Sequence, residues 1–298
     1  MDLLLWLQQL RTPAGDAFFL FVTQFGDQLA LGLAVLVIYW CVSRQAGCRL
    51  GLTVLTANLV GQSLKVIFRV PRPWVLDPRV QPVPEAVGSA TGYSFPSGHT
   101  GSATSFFGAL CLWARRRWVS LVCLAMVALV MLSRLYLGVH TPQDVLVSLA
   151  VAGVITLVVA RVFPHFQGRT HRLFVLSIAA GVVSAGMLIL AALWVAAGWE
   201  NRMMADCVKS AGALTGLVWG WYLQERYIRF DVRARLPVQA LKVLVGLITL
   251  GLVMTGLKAL AGDSLLLALP RYLLIVLYAS AGYPALMKRV LRQGRARR

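Results

Sequence analysis

The sequence is short of charge, and shortest of negative charge. Only 13% of its 298 residues are charged, and Asp and Glu together number 11 against 29 Lys and Arg. Soluble domains carry roughly 25% charged residues, so either the core is very large or the surrounding solvent is lipid. The acidic residues form no cluster suited to Mg²⁺. The five cysteines, Cys41, Cys48, Cys111, Cys123 and Cys207, lie mostly in or beside apolar runs. They have neither metal-ligand nor disulfide spacing, which leaves small core packing as their reading. There is no repeat at solenoid period and no low-complexity linker. A cleaved signal peptide is not expected, because the start is acidic and no clean apolar core precedes a small-residue site.

What is present decides for lipid. Hydrophobic residues make up 58% of the chain, and many runs reach the roughly 20 residues that span a bilayer. The predicted fold is an all-α, polytopic membrane helix bundle. Nine spans are expected: Gln28–Ser43, Cys48–Phe68, Thr100–Ala114, Trp118–Leu137, Asp144–Phe163, Leu173–Gly198, Met204–Leu223, Leu236–Ala261 and Ser264–Met287. Residues 1–27 are amphipathic rather than continuously apolar and read as an interfacial helical segment. Residues 28–163 form the expected helical core, and 164–298 the C-terminal helices and a basic tail. In that tail part, Asp206 and Lys209 stand three residues apart on one helix face and read as a mutual pair.

The net charge of +18 does not point to nucleic acid, because the cations sit in short connections between apolar runs. Arg44 and Arg49, Arg115–Arg117, Arg161 to Arg172, Arg226 to Arg235 and the Lys288–Arg298 tail fall in one alternate set of connections. The positive-inside rule makes that set cytoplasmic. The connections at Arg69–His99 and Leu137–Gln143 then share the opposite, non-cytoplasmic face.

Those two connections hold the chemistry. The stretch Tyr93-Ser94-Phe95-Pro96-Ser97-Gly98-His99-Thr100 opens a helix. Ser97 is a good N-cap type, and the N–H groups that follow make an anion site. His99 adds a group that exchanges protons near neutral pH. Upstream stand Lys65, Arg69, Arg72 and Arg79, and downstream Arg134, His140 and Asp144. Taken singly, each cation reads as an ordinary interfacial residue. Arg134 is harder to dismiss, since a deep Arg is costly unless paired or bound to an anion. His140 and Asp144 form an i,i+4 pair if Thr141-Pro142 opens a helix. Cations, two histidines, a carboxylate and a donor-rich turn are what metal-free phosphoryl transfer needs. Trp74, Tyr93 and Tyr136 read as packing residues beside this cluster.

Lys65-x6-Arg72-Pro73, Pro96-Ser97-Gly98-His99 and Ser133-Arg134-x5-His140-x3-Asp144 resemble the three-part signature of the type 2 phosphatidic acid phosphatase superfamily. The resemblance covers about Gln28 to Phe163, and every motif position is filled. The layout with a long helical tail is similar to glucose-6-phosphatase rather than to the short six-span bacterial members. The resemblance implies a membrane lipid phosphate phosphatase. His140 would be the nucleophile that becomes phosphorylated, Asp144 its orienting carboxylate and His99 the general acid. Lys65, Arg72, Ser97, Gly98 and Arg134 would bind the phosphoryl oxygens. No metal and no cofactor is implied.

Three other readings share these residues: a phosphotransferase using the same phosphohistidine, an oxidoreductase holding vanadate in the same cradle, and a non-catalytic lipid phosphate transporter or receptor. Phosphatidylglycerol phosphate, phosphatidate, undecaprenyl pyrophosphate and sphingoid phosphates all fit the implied substrate class. Short basic loops suggest a bacterial inner membrane with the site facing the periplasm. The partners expected are the lipid phosphate and the bilayer, with no nucleic acid; no feature of the sequence speaks to an oligomer.

Overall fold

The computed structural model describes residues 1–199 and 201–296; Arg297 and Arg298 of the basic tail lie outside the described residues. All regular elements among these residues are helices. In chain order they are α1 (Asp2–Gln9), α2 (Pro13–Thr23), α3 (Gln28–Val37), α4 (Arg44–Phe68), α5 (Pro73–Leu76), α6 (Pro84–Val87), α7 (Gly98–Ala114), α8 (Arg117–Tyr136), α9 (Pro142–Val162), α10 (Thr170–Ala196), α11 (Asn201–Leu223), α12 (Leu236–Ala261), α13 (Leu265–Leu277) and α14 (Tyr283–Ala296).

Local chemistry sets the starts. Thr12 caps α2 through Gly15 N at 3.1 Å, with Pro13 as the first helical residue. Asp27 accepts from Leu29 N and Ala30 N and so starts α3. Ser97 caps α7, and Pro142 opens α9. A hydroxyl or carboxylate at each N-terminus satisfies donors that the helix itself leaves unpaired.

Many large apolar side chains face outward, among them Leu236, Leu260, Leu121 and Leu124. Exposed Leu on this scale is what a lipid-facing surface carries. This is an integral membrane protein, but the span count is lower than the nine expected. Among the described residues, six helices are long and apolar enough to cross a bilayer, or seven if Pro13–Gly26 and Gln28–Val42, bent by 52°, form one broken span. The expected runs at α7 and α11 drop out, and the one at α3 counts only as half of the broken span. Helix α7 has 17 residues, about 25 Å at 1.5 Å per residue, and its first turns are polar. Helix α11 carries Asp206, Lys209, Ser210 and Thr215, which hold its hydropathy down.

The chain forms two compact units, Met1–Leu33 with Thr56–Ala160, and Ala34–Leu55 with Arg161–Arg298. In the second, α11 packs closely on α13: a Cβ on Gly212 or Gly216 would run into the α13 backbone at Leu269 and Leu273. Small residues at such contacts let helix backbones approach in the absence of water. Buried polar groups are satisfied across the same unit, as where Tyr39 donates to Ser280 O at 2.6 Å and Trp40 to Ala279 O at 2.9 Å. Lys209 meets Asp206 at 2.9 Å.

In the first unit α7 and α2 both lie against α8. The polar connection between α4 and α7 is held down by an apolar cluster of Val83, Ala86 and Ala90 on Tyr136, Leu137 and Val139. Val83 N donates to Leu137 O at 3.0 Å. Gly138 turns the chain back toward α9 at φ +73°, where a Cβ would stand 2.6 Å from Arg11 Nη2. The two connections are thereby fixed to each other.

Candidate active site

All eight residues singled out from the sequence belong to the first unit. His140 is buried at the foot of α9, between a guanidinium and a carboxylate. Its Nε2 stands 3.1 Å from Arg72 Nη1. Guanidinium can only donate, so Nε2 must accept and the proton sits on Nδ1. Nδ1 faces Asp144 Oδ2 at 3.5 Å and Ser94 Oγ at 3.4 Å. The carboxylate is itself fixed: Ser94 Oγ donates to Oδ2 at 2.6 Å and Thr141 N donates to it at 2.7 Å. The first turn of α9 therefore holds one tautomer, with the lone pair of Nε2 turned toward the cations.

Arg72 is clamped by main chain. It donates to Gly92 O at 2.8 Å, Thr91 O at 2.7 Å and Val139 O at 3.0 Å. Lys65 donates to Tyr93 O at 3.2 Å. Arg134 is fully buried; its Nη1 donates to Thr23 Oγ1 at 2.8 Å. Its Nε and Nη2 are buried with no hydrogen-bond partner among the described residues. A buried guanidinium edge left open in this way is costly unless an anion meets it.

Ser97 joins the two motif loops. Its N–H donates to Asp144 O at 3.1 Å, and its carbonyl accepts from Ser148 Oγ at 2.8 Å. Its hydroxyl accepts from Thr100. The N-terminus of α7 is thus pinned to α9 beside His140. Lys65, Pro96, Ser97 and Gly98 line a narrow cleft together with Asn58, Gln62, Gly101, Ser102 and Ser148. The other cradle residues are not in its lining.

Burial above all keeps the His140 imidazole below its ordinary pKa, helped by Arg72, Arg134 and Lys65. His99 is lowered likewise, by burial first and then by Arg134, His140, Lys65 and Arg72. Both shifts favour the neutral ring.

Arg79 does not join the cluster; it pairs with Asp77 at 2.9 Å on the surface. Tyr136 is a packing residue, tilted against Phe19 with ring centroids 4.2 Å apart. Trp74 lies beside the Arg72 guanidinium, 6.0 Å from ring centroid to Cζ. Two residues were not read as site residues from the sequence: Ser94, which holds Asp144, and Thr23, which holds Arg134. No spacing rule reaches them, since they stand 50 and 111 residues from those partners. Among the described residues no three His, Cys, Asp or Glu side chains gather as metal ligands would.

Residues 46–167 match the PAP2 superfamily, and residues 208–295 match the transmembrane extension of PAP2 superfamily phosphatases. The chain belongs to the PAP2 superfamily. A Dictyostelium discoideum protein described as "Probable sphingosine-1-phosphate phosphatase" is 29% identical over 163 residues, 49% of this chain and 38% of its own length. Phosphatidylglycerophosphatase B of Escherichia coli is 46% identical over 61 residues, 20% of this chain and 24% of its own length. The chain thus spans well under half the length of these curated relatives. The crystal structure of Aquifex aeolicus LpxE superimposes with a TM-score of 0.48 at 24% identity, over 54% of this chain and 93% of that one.

Proposed function

We propose that this protein is a membrane phosphatase that hydrolyses a lipid phosphate monoester or pyrophosphate through a phosphohistidine on His140. The observation that carries the reading is the arrangement around that ring. Nδ1 is committed to Asp144 and Ser94, Nε2 meets Arg72, and the open edge of Arg134 belongs to the same unit. A phosphoryl group entering the cradle gives those guanidinium donors their anion and frees Nε2 to attack phosphorus. The P–O bond to the lipid breaks, and His99 delivers a proton to the departing oxygen. Water then attacks the phosphohistidine, with His99 as base, and inorganic phosphate leaves.

The electrostatics set an order. Burial first, and then the surrounding cations, disfavour the charged form of His99. The incoming phosphate offsets that positive charge, so the proton used in leaving-group departure arrives with, or after, the substrate. Lys65, Arg72 and Arg134 meet the charge that develops on the equatorial oxygens, with Ser97 and the Gly98 N–H beside them, so no metal ion is required for that task. The names of the relatives support a lipid as the leaving group. The alternation of basic and neutral connections supports a site on the non-cytoplasmic face, and short basic loops support a bacterial inner membrane with that face to the periplasm.

The test is phosphate release by the purified protein from phosphatidylglycerol phosphate, phosphatidate, undecaprenyl pyrophosphate and a sphingoid phosphate, with and without EDTA. Release should survive EDTA and be inhibited by vanadate, which adopts the pentacoordinate geometry. Activity lost in EDTA and restored by Mg²⁺ would overturn the mechanism.

A further inference from the structure

We propose that Thr23 is a positioning residue of this active site, which turns the open edge of Arg134 toward the phosphoryl group. The proposal rests on the phosphatase reading above, and it brings into the site a segment that precedes the 46–167 match.

Arg134 presents five N–H donors in one plane. Thr23 Oγ1, itself buried, accepts from Nη1 at 2.8 Å. The groups left over, Nε and Nη2, form the side edge of the guanidinium. That edge places two parallel donors where two oxygens of a phosphate can take both. Tying Nη1 to a fixed hydroxyl orients the whole plane, because guanidinium is rigid. A Thr at this position therefore does more than satisfy one donor: it selects which edge meets the ligand.

The segment carrying Thr23 is itself anchored on the end of α8 where Arg134 stands. Arg11 Nε donates to Tyr136 O at 2.9 Å, Thr12 N donates to Tyr136 Oη at 3.3 Å, and Phe19 packs on the Tyr136 ring. The turn after Thr23, Gln24–Gly26, reaches the second motif. A Cβ on Gly26 would stand 2.8 Å from His99 O and 3.0 Å from His99 Cβ. One short stretch, Thr23 to Gly26, thus backs both Arg134 and His99.

The experiment uses the full chain in detergent and reads kcat, KM and the inhibition constant of vanadate. Thr23→Val keeps the shape and removes the acceptor. It should raise KM and the vanadate constant roughly tenfold or more, the scale of one hydrogen bond to a charged group, with a smaller change in kcat. Thr23→Ser keeps the hydroxyl and should stay within about threefold of wild type on that scale. In an Arg134→Met background, Thr23→Val should bring no further loss of vanadate binding, because the two act through one guanidinium. Should Thr23→Val fold poorly, Thr23→Ala carries the same expectation.

Wild-type vanadate binding in the folded Thr23→Val protein overturns the proposal, as does a full additional loss in the Arg134→Met background. A wild-type protein that neither releases phosphate nor binds vanadate brings down the phosphatase reading and this inference with it. A wild type that does both, matched by Thr23→Val, brings down this inference alone.

Discussion

Replacing Ser94 with Ala tests whether Asp144 is held for catalysis or merely buried. Oδ2 of Asp144 receives Ser94 Oγ at 2.6 Å and Thr141 N at 2.7 Å, while His140 Nδ1 stands 3.5 Å away. Ser94→Ala removes the shortest of these and keeps Cβ, so packing changes little. A hydrogen bond to a charged group contributes about 1.5–3 kcal/mol. If that loss is felt when His140 gains positive charge in the transition state, the rate falls roughly 10- to 100-fold at 1.36 kcal/mol per decade. Thr141 N still holds the carboxylate, which argues for the lower half of that range. The loss should appear in kcat, because Ser94 contacts Asp144 and His140 and not the cations of the cradle. Steady-state kinetics on a short-chain lipid phosphate, with a melting curve to confirm folding, reads both constants. A kcat within threefold of wild type, or a rise in KM at unchanged kcat, would refute the positioning role.

His140→Ala should abolish turnover and any trapped phosphoenzyme, whereas His99→Ala should slow lipid substrates by about 10²–10⁴-fold and a nitrophenyl phosphate by much less; equal defects on good and poor leaving groups would remove His99 from leaving-group departure. Because burial and cations lower His99, a general acid at this position, as proposed, is lost from the free protein as pH rises through that depressed value, so kcat/KM on lipid substrates should peak below about pH 6.5 and fall on the alkaline side. An alkaline optimum would contradict this. Cysteine placed at Gln81, in a background lacking the five native cysteines, should react with a membrane-impermeant thiol reagent in intact cells; labelling only after lysis would reverse the proposed topology.

Much of the site is legible in the sequence because its chemistry is local. Ser97 as a helix cap, Pro142 as a helix start and the i,i+4 placing of His140 and Asp144 each depend on a few neighbouring residues. The helical, membrane-embedded character is legible for a similar reason: long apolar runs in a chain with few charges allow no other backbone solution in lipid. The number of spans is less so. Helix α7 spends its first turns on polar residues that serve the site, and its apolar part is short for a bilayer; α11 keeps polar side chains that pair along the helix or bond to α10, such as Asp206 with Lys209 and Thr215 with Ser184.

What tertiary structure alone decided is which residues serve the motif residues. Ser94 and Thr23 are ordinary hydroxyls in sequence, one near a turn and one at the end of an apolar helix. They gain their place only when α9 brings Asp144 against the loop and α2 lies along α8. The same holds for Gly26, whose missing side chain matters because the backbone of His99 passes against it. The sequence carries the candidate reactive groups, since their chemistry is written in residue type and short spacing. The groups that aim them are chosen by proximity across tens of residues, and only the folded chain creates that proximity.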